Sequence, residues 1–396
     1  MRTLPVRPLG WIALIAGGVV ALGLLLPYAL LPSYHYPPPT PFAGRKWYNP
    51  YAGMRGAWHQ MSLHDHGVTC CLPATERRSD EEMAAYYRSL GYDVATVTDH
   101  QRFSYLPGPR MYEHGANVLK THQLVIGARN IDWIDFPLLQ STDDKQYVLD
   151  RLRAEAALVG LAHPGIRNGY SLDDLRHLTG YDFMEVLHED VSYERAWDAA
   201  LSAGRLCWAT GSDDAHGTGR PSKIGLSWTM LRGSSTEADS LVSALRQGWS
   251  YAVLGRRGVN DVRLRDVAIR GDTLVVATDP GALSFTFVGQ GGHIRSVVHA
   301  SSRAGYLLRP EDSYIRTIVR TPRTTLYLNP VVRTPGRRPA MARASPALAA
   351  TWGARAALLS TLLVLTWALR RRDRPTRGAR SPARAPDRRR PRRVAA

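Results

Sequence analysis

The chain has 396 residues, 44% of them hydrophobic and 21% charged, with a formal net charge of +17. That length buries one large core or two ordinary ones and excludes a small stapled scaffold. Three cysteines without a CxxC exclude a disulfide framework and thiolate zinc sites. The charge is uneven: residues 370–396 carry twelve Arg against two Asp, whereas residues 8–302 are slightly acidic. A basic surface therefore does not choose what the middle of the chain binds, and nucleic acid is not an expected partner.

In chain order, a short cytoplasmic N-terminus (1–9) precedes residues 10–32, which are 23 consecutive uncharged and mostly apolar positions. At about 1.5 Å per residue that run crosses a bilayer. No A-x-A-like cleavage site follows it, so a retained transmembrane helix is expected rather than a removed signal peptide. Residues 33–50 are Pro-rich and without periodicity, which predicts an extended stalk. Residues 51–254 then alternate short β-like runs with helical patterns. The strands are expected at 58–64, 94–99, 123–126, 158–163, 183–187 and 206–210, and the helices at 80–90, 145–157, 172–178, 194–203 and 241–247. This alternation predicts an α/β domain built on a parallel sheet or a (β/α) barrel. From 255 to 335 the texture changes to short alternating segments split by Gly, Pro and Asp, the pattern of a small antiparallel β domain.

Residues 347–369 form a second candidate transmembrane helix, with Trp352 and Trp367 as interfacial anchors and Arg355 able to snorkel. A surface amphipathic helix is the alternative there. Arg2 and Arg7 before the first span, and Arg370, Arg371 and Arg372 after the second, predict both termini in the cytoplasm and the domains between on the extracytoplasmic side. The basic tail, 370–396, has almost nothing to bury, so it is expected to be disordered against the anionic inner leaflet.

The candidate chemistry gathers where the expected strands end. His64 and His66 close the first, Asp99 and His100 the second, and Glu113 and His122 precede the third. His163 closes the fourth, and Asp214 and His216 follow the sixth. Strand ends in such folds open on one face, and residues i and i+2 of a strand project to the same side, so these groups can converge. So many N donors and carboxylates exceed the needs of one ion and imply at least two divalent metals sharing a carboxylate. Cys70 and Cys71 suit inert packing better than redox chemistry. His177 and His188 suit packing or solvent, and Glu185 suits a structural role or a hydrogen bond to the site from below. Arg220 and Lys223 lie where they could meet a substrate anion or simply form salt bridges.

The order of these motifs resembles the PHP (polymerase and histidinol phosphatase) superfamily of metal-dependent hydrolases, in a branch with a small C-terminal β domain. Leu63-His64-Asp65-His66 matches its first motif and Val97-Thr98-Asp99-His100 its second. Ala162–Gly165 matches the AHPG motif, and Ser212–His216 the final SDxH type. Gly127-Ala128-Arg129 sits where a G-x-E motif is sought, but Arg cannot ligate a metal, so Glu113 is the better bridging carboxylate. Gly67 replaces the usual Ser or Thr, and the next segment is blurred, which favours two metals over three.

The resemblance implies a distorted (β/α)7 barrel and metal-activated hydrolysis, with phosphoesters the first substrate class. His64, His66, Glu113 and Asp214 would hold one Zn, Mn or Fe ion; Glu113, His122 and His163 would hold the other. His100 and His216 would complete a third site or orient the leaving group. Asp99 would support a ligand histidine, and Glu113, Asp99 and His216 would carry the catalysis. Amide or carbamate hydrolysis, a metal-binding receptor without turnover, and nucleic-acid processing are the alternatives, the last disfavoured by the acidic middle and the outward topology.

Overall fold

The computed structural model describes residues 7–67, 78–336, 338–341 and 343–372. Arg2, Cys70 and Cys71, and the tail from 373 onward, lie outside these. Three helices begin where a Ser is followed three residues later by an acid. Ser79 with Glu82, Ser141 with Asp144 and Ser171 with Asp174 form reciprocal caps for Asp80–Ser89, Thr142–Glu155 and Leu172–His177. Each cap satisfies backbone donors that a helix start otherwise leaves orphaned. The helix Ala238–Gln247 ends on Gly248 at φ 76°, where a Cβ would also meet the Trp208 ring at 2.7 Å. Only Gly suits both demands. Glu194–Ser202 completes the five helices expected from the sequence, each within a few residues of its expected ends.

Backbone pairing runs round a circuit that positions the site. Ala57–Ser62 pairs in parallel with Val94–Ala95, and the chain beyond reaches Met111–His114 through a parallel bridge between His100 and Glu113. Met111–His114 pairs with Gln123–Ile126, and that strand with Leu158–Leu161. Phe183–His188 and then Trp208–Ser212 follow in parallel. Ala215–His216 finally pairs in parallel with Asp65–His66, returning to the first segment. Gln123–Ile126 runs antiparallel to both neighbours, unlike the all-parallel sheet expected. Only residues 115–122 join it to Met111–His114, and a parallel crossover needs roughly a dozen residues or more.

The antiparallel strands belong to a ten-stranded sheet that also contains the first strand. Ser227–Gly233 lies between Ala57–Ser62 and Ser250–Leu254, and Ser250–Leu254 pairs with Thr325–Thr334. Pairing thus crosses the boundary expected at 254/255, and the chain up to Ala347 clusters as one compact unit. Where short segments were expected, Thr273–Gly289 is one long strand, and it pairs with His293–Leu307.

The predicted stalk is extended but tied along its length. Lys46–Tyr48 pairs with Thr325–Thr334, Tyr34–His35 pairs with Ser345–Pro346, and Phe42 is buried. The N-terminal helix Arg7–Leu30 holds the apolar stretch Ile15–Leu30. Among the described residues, one helix is long and apolar enough to cross a membrane by length and composition, with Leu348–Ala368 at a mean hydropathy of 1.6. It belongs to a second unit that begins at Leu348.

Candidate metal centre

The circuit brings the chemistry-bearing strand ends together. His64, His66, Glu113, His122, His163 and Asp214 are all nearly buried, and His216 stands at the mouth with its side chain 45% exposed. Glu113 is the hub. Its Oε1 lies 2.6 Å from His122 Nδ1, 3.1 Å from His163 Nε2 and 3.4 Å from His64 Nε2. Its Oε2 lies 3.0 Å from His100 Nε2 and 3.2 Å from His66 Nε2. Asp214 is a second hub: Oδ1 is 2.9 Å from His66 Nε2, 3.3 Å from His64 Nε2 and 3.4 Å from His216 Nε2.

Two sets of potential ligand atoms lie within 4.8 Å of one another: His64, His66, Glu113 and Asp214, and His100, Glu113 and His122. Glu113 belongs to both. The first set is the one expected for the first ion. The second takes His100 where His163 was expected; His163 Nε2 lies between the hubs, 3.1 Å from Glu113 and 3.9 Å from Asp214. Among the described residues, His64 Nε2, His66 Nε2, Glu113 Oε2 and Asp214 Oδ1 are buried with no hydrogen-bond partner. They approach one another closely without bonding geometry, as donors aimed at a shared centre do. Buried groups left this way are costly unless something binds them, so the residues present fit divalent cations.

The electrostatics are uneven: against their burial, Glu185, Asp214 and Glu113 raise His64, and Asp214, Asp99 and Glu113 raise His66, well above the usual imidazole range. Burial alone would raise the Glu113 carboxyl, but His122, His64 and His100 outweigh it and hold Glu113 well below the usual carboxylate range. Asp214 is held down in the same way by His64, His188 and His66 against its burial. Burial lowers His122 and His216 to about 4, so both imidazoles are neutral near pH 7, the form that ligates metals. The backbone at the site is strained: His163 and Asp214 are non-glycine residues at φ 26° and 50°. Such conformations persist only where surrounding structure enforces them, and they gather at functional sites.

A supporting layer holds the histidines. Glu185 Oε1 is 2.9 Å from His64 Nδ1, its Oε2 accepts from the His163 backbone N–H at 2.7 Å, and Ser212 Oγ also bonds it. This carboxylate therefore touches the site directly. Asp99 accepts from Gly67 N at 2.9 Å and pairs with Arg102; it faces His66 Nδ1 at 3.6 Å, beyond hydrogen-bond reach, and does not enter the centre. Asp213 accepts the backbone N–H groups of Gly225, Leu226 and Ser227, and Tyr87 Oη bonds both Asp65 and Asp213.

His188, expected to pack or to meet solvent, instead places its Nε2 3.3 Å from Asp214 Oδ2. Its position at the end of Phe183–His188 is the signal in the sequence that points there. Arg129, in the G-A-R segment, is exposed and pairs with Glu155. Lys223 forms salt bridges with Glu189 and Asp190.

No family model matches the sequence, and no curated protein does either. Among solved structures the chain is similar to a two-domain protein. That protein, from Bacteroides vulgatus ATCC 8482, contains a predicted PHP-like metal-dependent phosphoesterase. The likeness covers 78% of this chain and 98% of that one, at 11% identity and a TM-score of 0.40. So distant a likeness leaves the chemistry to rest on the residues themselves.

Proposed function

We propose that the chain is a membrane-anchored, metal-dependent hydrolase of the PHP type that acts on phosphoesters. The observation that carries this is the carboxylate of Glu113, common to two converging sets of buried ligand atoms. His64, His66, Glu113 and Asp214 would hold one divalent ion and Glu113, His100 and His122 a second, with His163 beside the bridge. N and O ligation suits Zn, Mn or Fe. Ions held there would supply Lewis acidity and an activated water.

The chain's own residues prepare the rest. With an ion held, Glu185 would keep His64 Nδ1 as the donor and leave the Nε2 lone pair for the metal. Asp99, itself held by Arg102, backs His66. His216 stacks on His66, with ring centroids 4.4 Å apart, and stands neutral at the mouth, where it can hold a proton at Nε2. The circuit of seven hydrogen-bonded segments supports a distorted (β/α)7 barrel. The apolar runs in Arg7–Leu30 and Leu348–Arg372 support two anchors with both termini inside and the Arg-rich tail on the anionic inner leaflet.

The test is turnover by the full-length protein in neutral detergent, with and without added Mn or Zn. p-Nitrophenyl phosphate, bis-p-nitrophenyl phosphate, an aryl ester and an aryl carbamate form the panel. Metal-dependent release from a phosphate compound is expected. Release only from the ester or carbamate would replace the substrate class. A metal-loaded protein that turns over nothing would make the chain a receptor.

A further inference from the structure

A cavity of about 210 Å³ lies at the other end of the strands that carry the metal centre. Asp182, Trp208, Arg153, Arg246, Arg338 and Arg343 are among the residues that line it. Asp182 immediately precedes Phe183–His188, and Trp208 opens Trp208–Ser212; the far ends of both strands carry His188 and Ser212, beside the centre. At about 3.3 Å per residue, five or six residues separate the two places by roughly 17–20 Å.

Four guanidinium groups share this cavity with one carboxylate. Asp182 is already committed: it pairs with Arg153 and accepts the Val159 N–H at 3.0 Å. Among the described residues, the hydrogen bonds of Arg246 and Arg338 go to carbonyls, Arg246 Nη2 to Ala157 O at 3.2 Å and Arg338 Nη2 to Arg246 O at 3.0 Å, while Arg246 feels Asp182 at longer range. Arg343 feels Asp150 at longer range, and the Ala344 N–H bond to Thr179 Oγ1 at 2.9 Å pins its segment beside the cavity. Tyr181, also in the lining, is almost completely buried, and its hydroxyl has no hydrogen-bond partner among the described residues. Asp182 and Asp150 together carry fewer charges than the four guanidinium groups they answer, so like charges repel here, and a planar guanidinium fork is matched by phosphate oxygens.

We propose that this cavity is a second, non-catalytic site that binds a phosphate group, free or as a phospholipid headgroup. The lipid source has a sequence argument, since Arg343 stands five residues before the apolar helix that begins at Leu348.

The test measures binding by calorimetry to the full-length protein in neutral detergent. The probes are inorganic phosphate, and micelles doped with phosphatidic acid or, as an anion without phosphate, oleate. Glu113→Gln removes the central carboxylate of the metal centre and should leave this binding in place. Arg246→Ala/Arg343→Ala should weaken it at least about tenfold, because two charge-assisted contacts are lost. Both arginines are exposed, so folding should survive; Arg343→Ala alone serves if the pair does not purify. Binding of phosphatidic acid but not inorganic phosphate supports the lipid source, and binding of both supports any phosphate. Equal binding by wild type and variant, equal binding of oleate, or no binding of either phosphate probe overturns the proposal.

Discussion

Glu185→Gln asks whether a carboxylate behind the ligand atoms sets how tightly the centre holds metal. One Glu185 oxygen accepts from His64 Nδ1 at 2.9 Å and the other from the His163 backbone N–H at 2.7 Å. Glutamine has one acceptor oxygen and a donor NH2, so it can serve only one of these two donors. The other donor then faces an N–H, and His64 loses the negative charge that holds its tautomer and strengthens Nε2 as a ligand. Losing such a carboxylate typically lowers metal affinity about 10–100-fold, or about 1.4–2.8 kcal/mol. Competition against a fluorescent zinc chelator reads that change directly on the full-length protein. Most of the effect runs through His64, so Glu185→Gln should add little to His64→Ala. A variant within about twofold of wild type, or one whose loss adds in full to that of His64→Ala, refutes the reasoning.

Glu113→Gln should cost more than Glu185→Gln, at least about a hundredfold in metal affinity, because both ligand sets depend on it. Elemental analysis and phosphoester turnover check it, and full metal at full rate would move the bridge elsewhere. Arg129→Ala should keep normal metal content, since its side chain is exposed and meets Glu155; metal loss would revive the G-A-R segment. Tyr87→Phe removes the hydroxyl that bonds Asp65 and Asp213, two buried acids, and should cost about 2–3 kcal/mol. Thermal unfolding in detergent reads this loss, and an unchanged midpoint would mean the hydroxyl contributes nothing. A reporter fused after Ala396 should read cytoplasmic and one in the loop near residue 260 external; an external C-terminus would refute a span at 347–369.

The polar centre is legible in the sequence because its signal is local and chemically rare. Buried His, Asp and Glu are costly, and a fold without a polar site has no reason to gather them at successive strand ends. That same rule covers His188, at the end of its strand and three residues after Glu185, although the order of motifs holds no place for it. Long-range pairing is not legible. Ser227–Gly233 is buried almost throughout, so it lacks the alternation that marks a half-exposed strand. The change of texture at 255 is real in the sequence, but Ser250–Leu254 bonds across it to Thr325–Thr334, a partner more than seventy residues away. Residues 33–50 read as extended for sound reasons, since proline excludes helix. That Lys46–Tyr48 would find residues 332–334 is a matter of register no local pattern carries.

The strain at His163 and Asp214 is hidden for a related reason. Nothing in AHPG or SDDAH requires a non-glycine residue at positive φ, yet that turn is what swings each side chain toward Glu113 or His66. Taken alone, the centre is an expensive arrangement. It combines strained backbone, buried carboxylates and imidazole nitrogens left without hydrogen bonds, and an apolar core of equal volume would be more stable. Folds keep such local violations where function requires them and compensate elsewhere. Here the compensation is visible around the site, in Glu185 on His64, in Arg102 on Asp99, and in the three backbone N–H groups on Asp213. Those contacts bond Glu185, Asp99 and Asp213 one layer out, whereas among the described residues His64 Nε2, His66 Nε2, Glu113 Oε2 and Asp214 Oδ1 at the centre have no hydrogen-bond partner. A structural polar network would satisfy its innermost members first. Here four of them lack a partner, and those four are the atoms that could hold a cation.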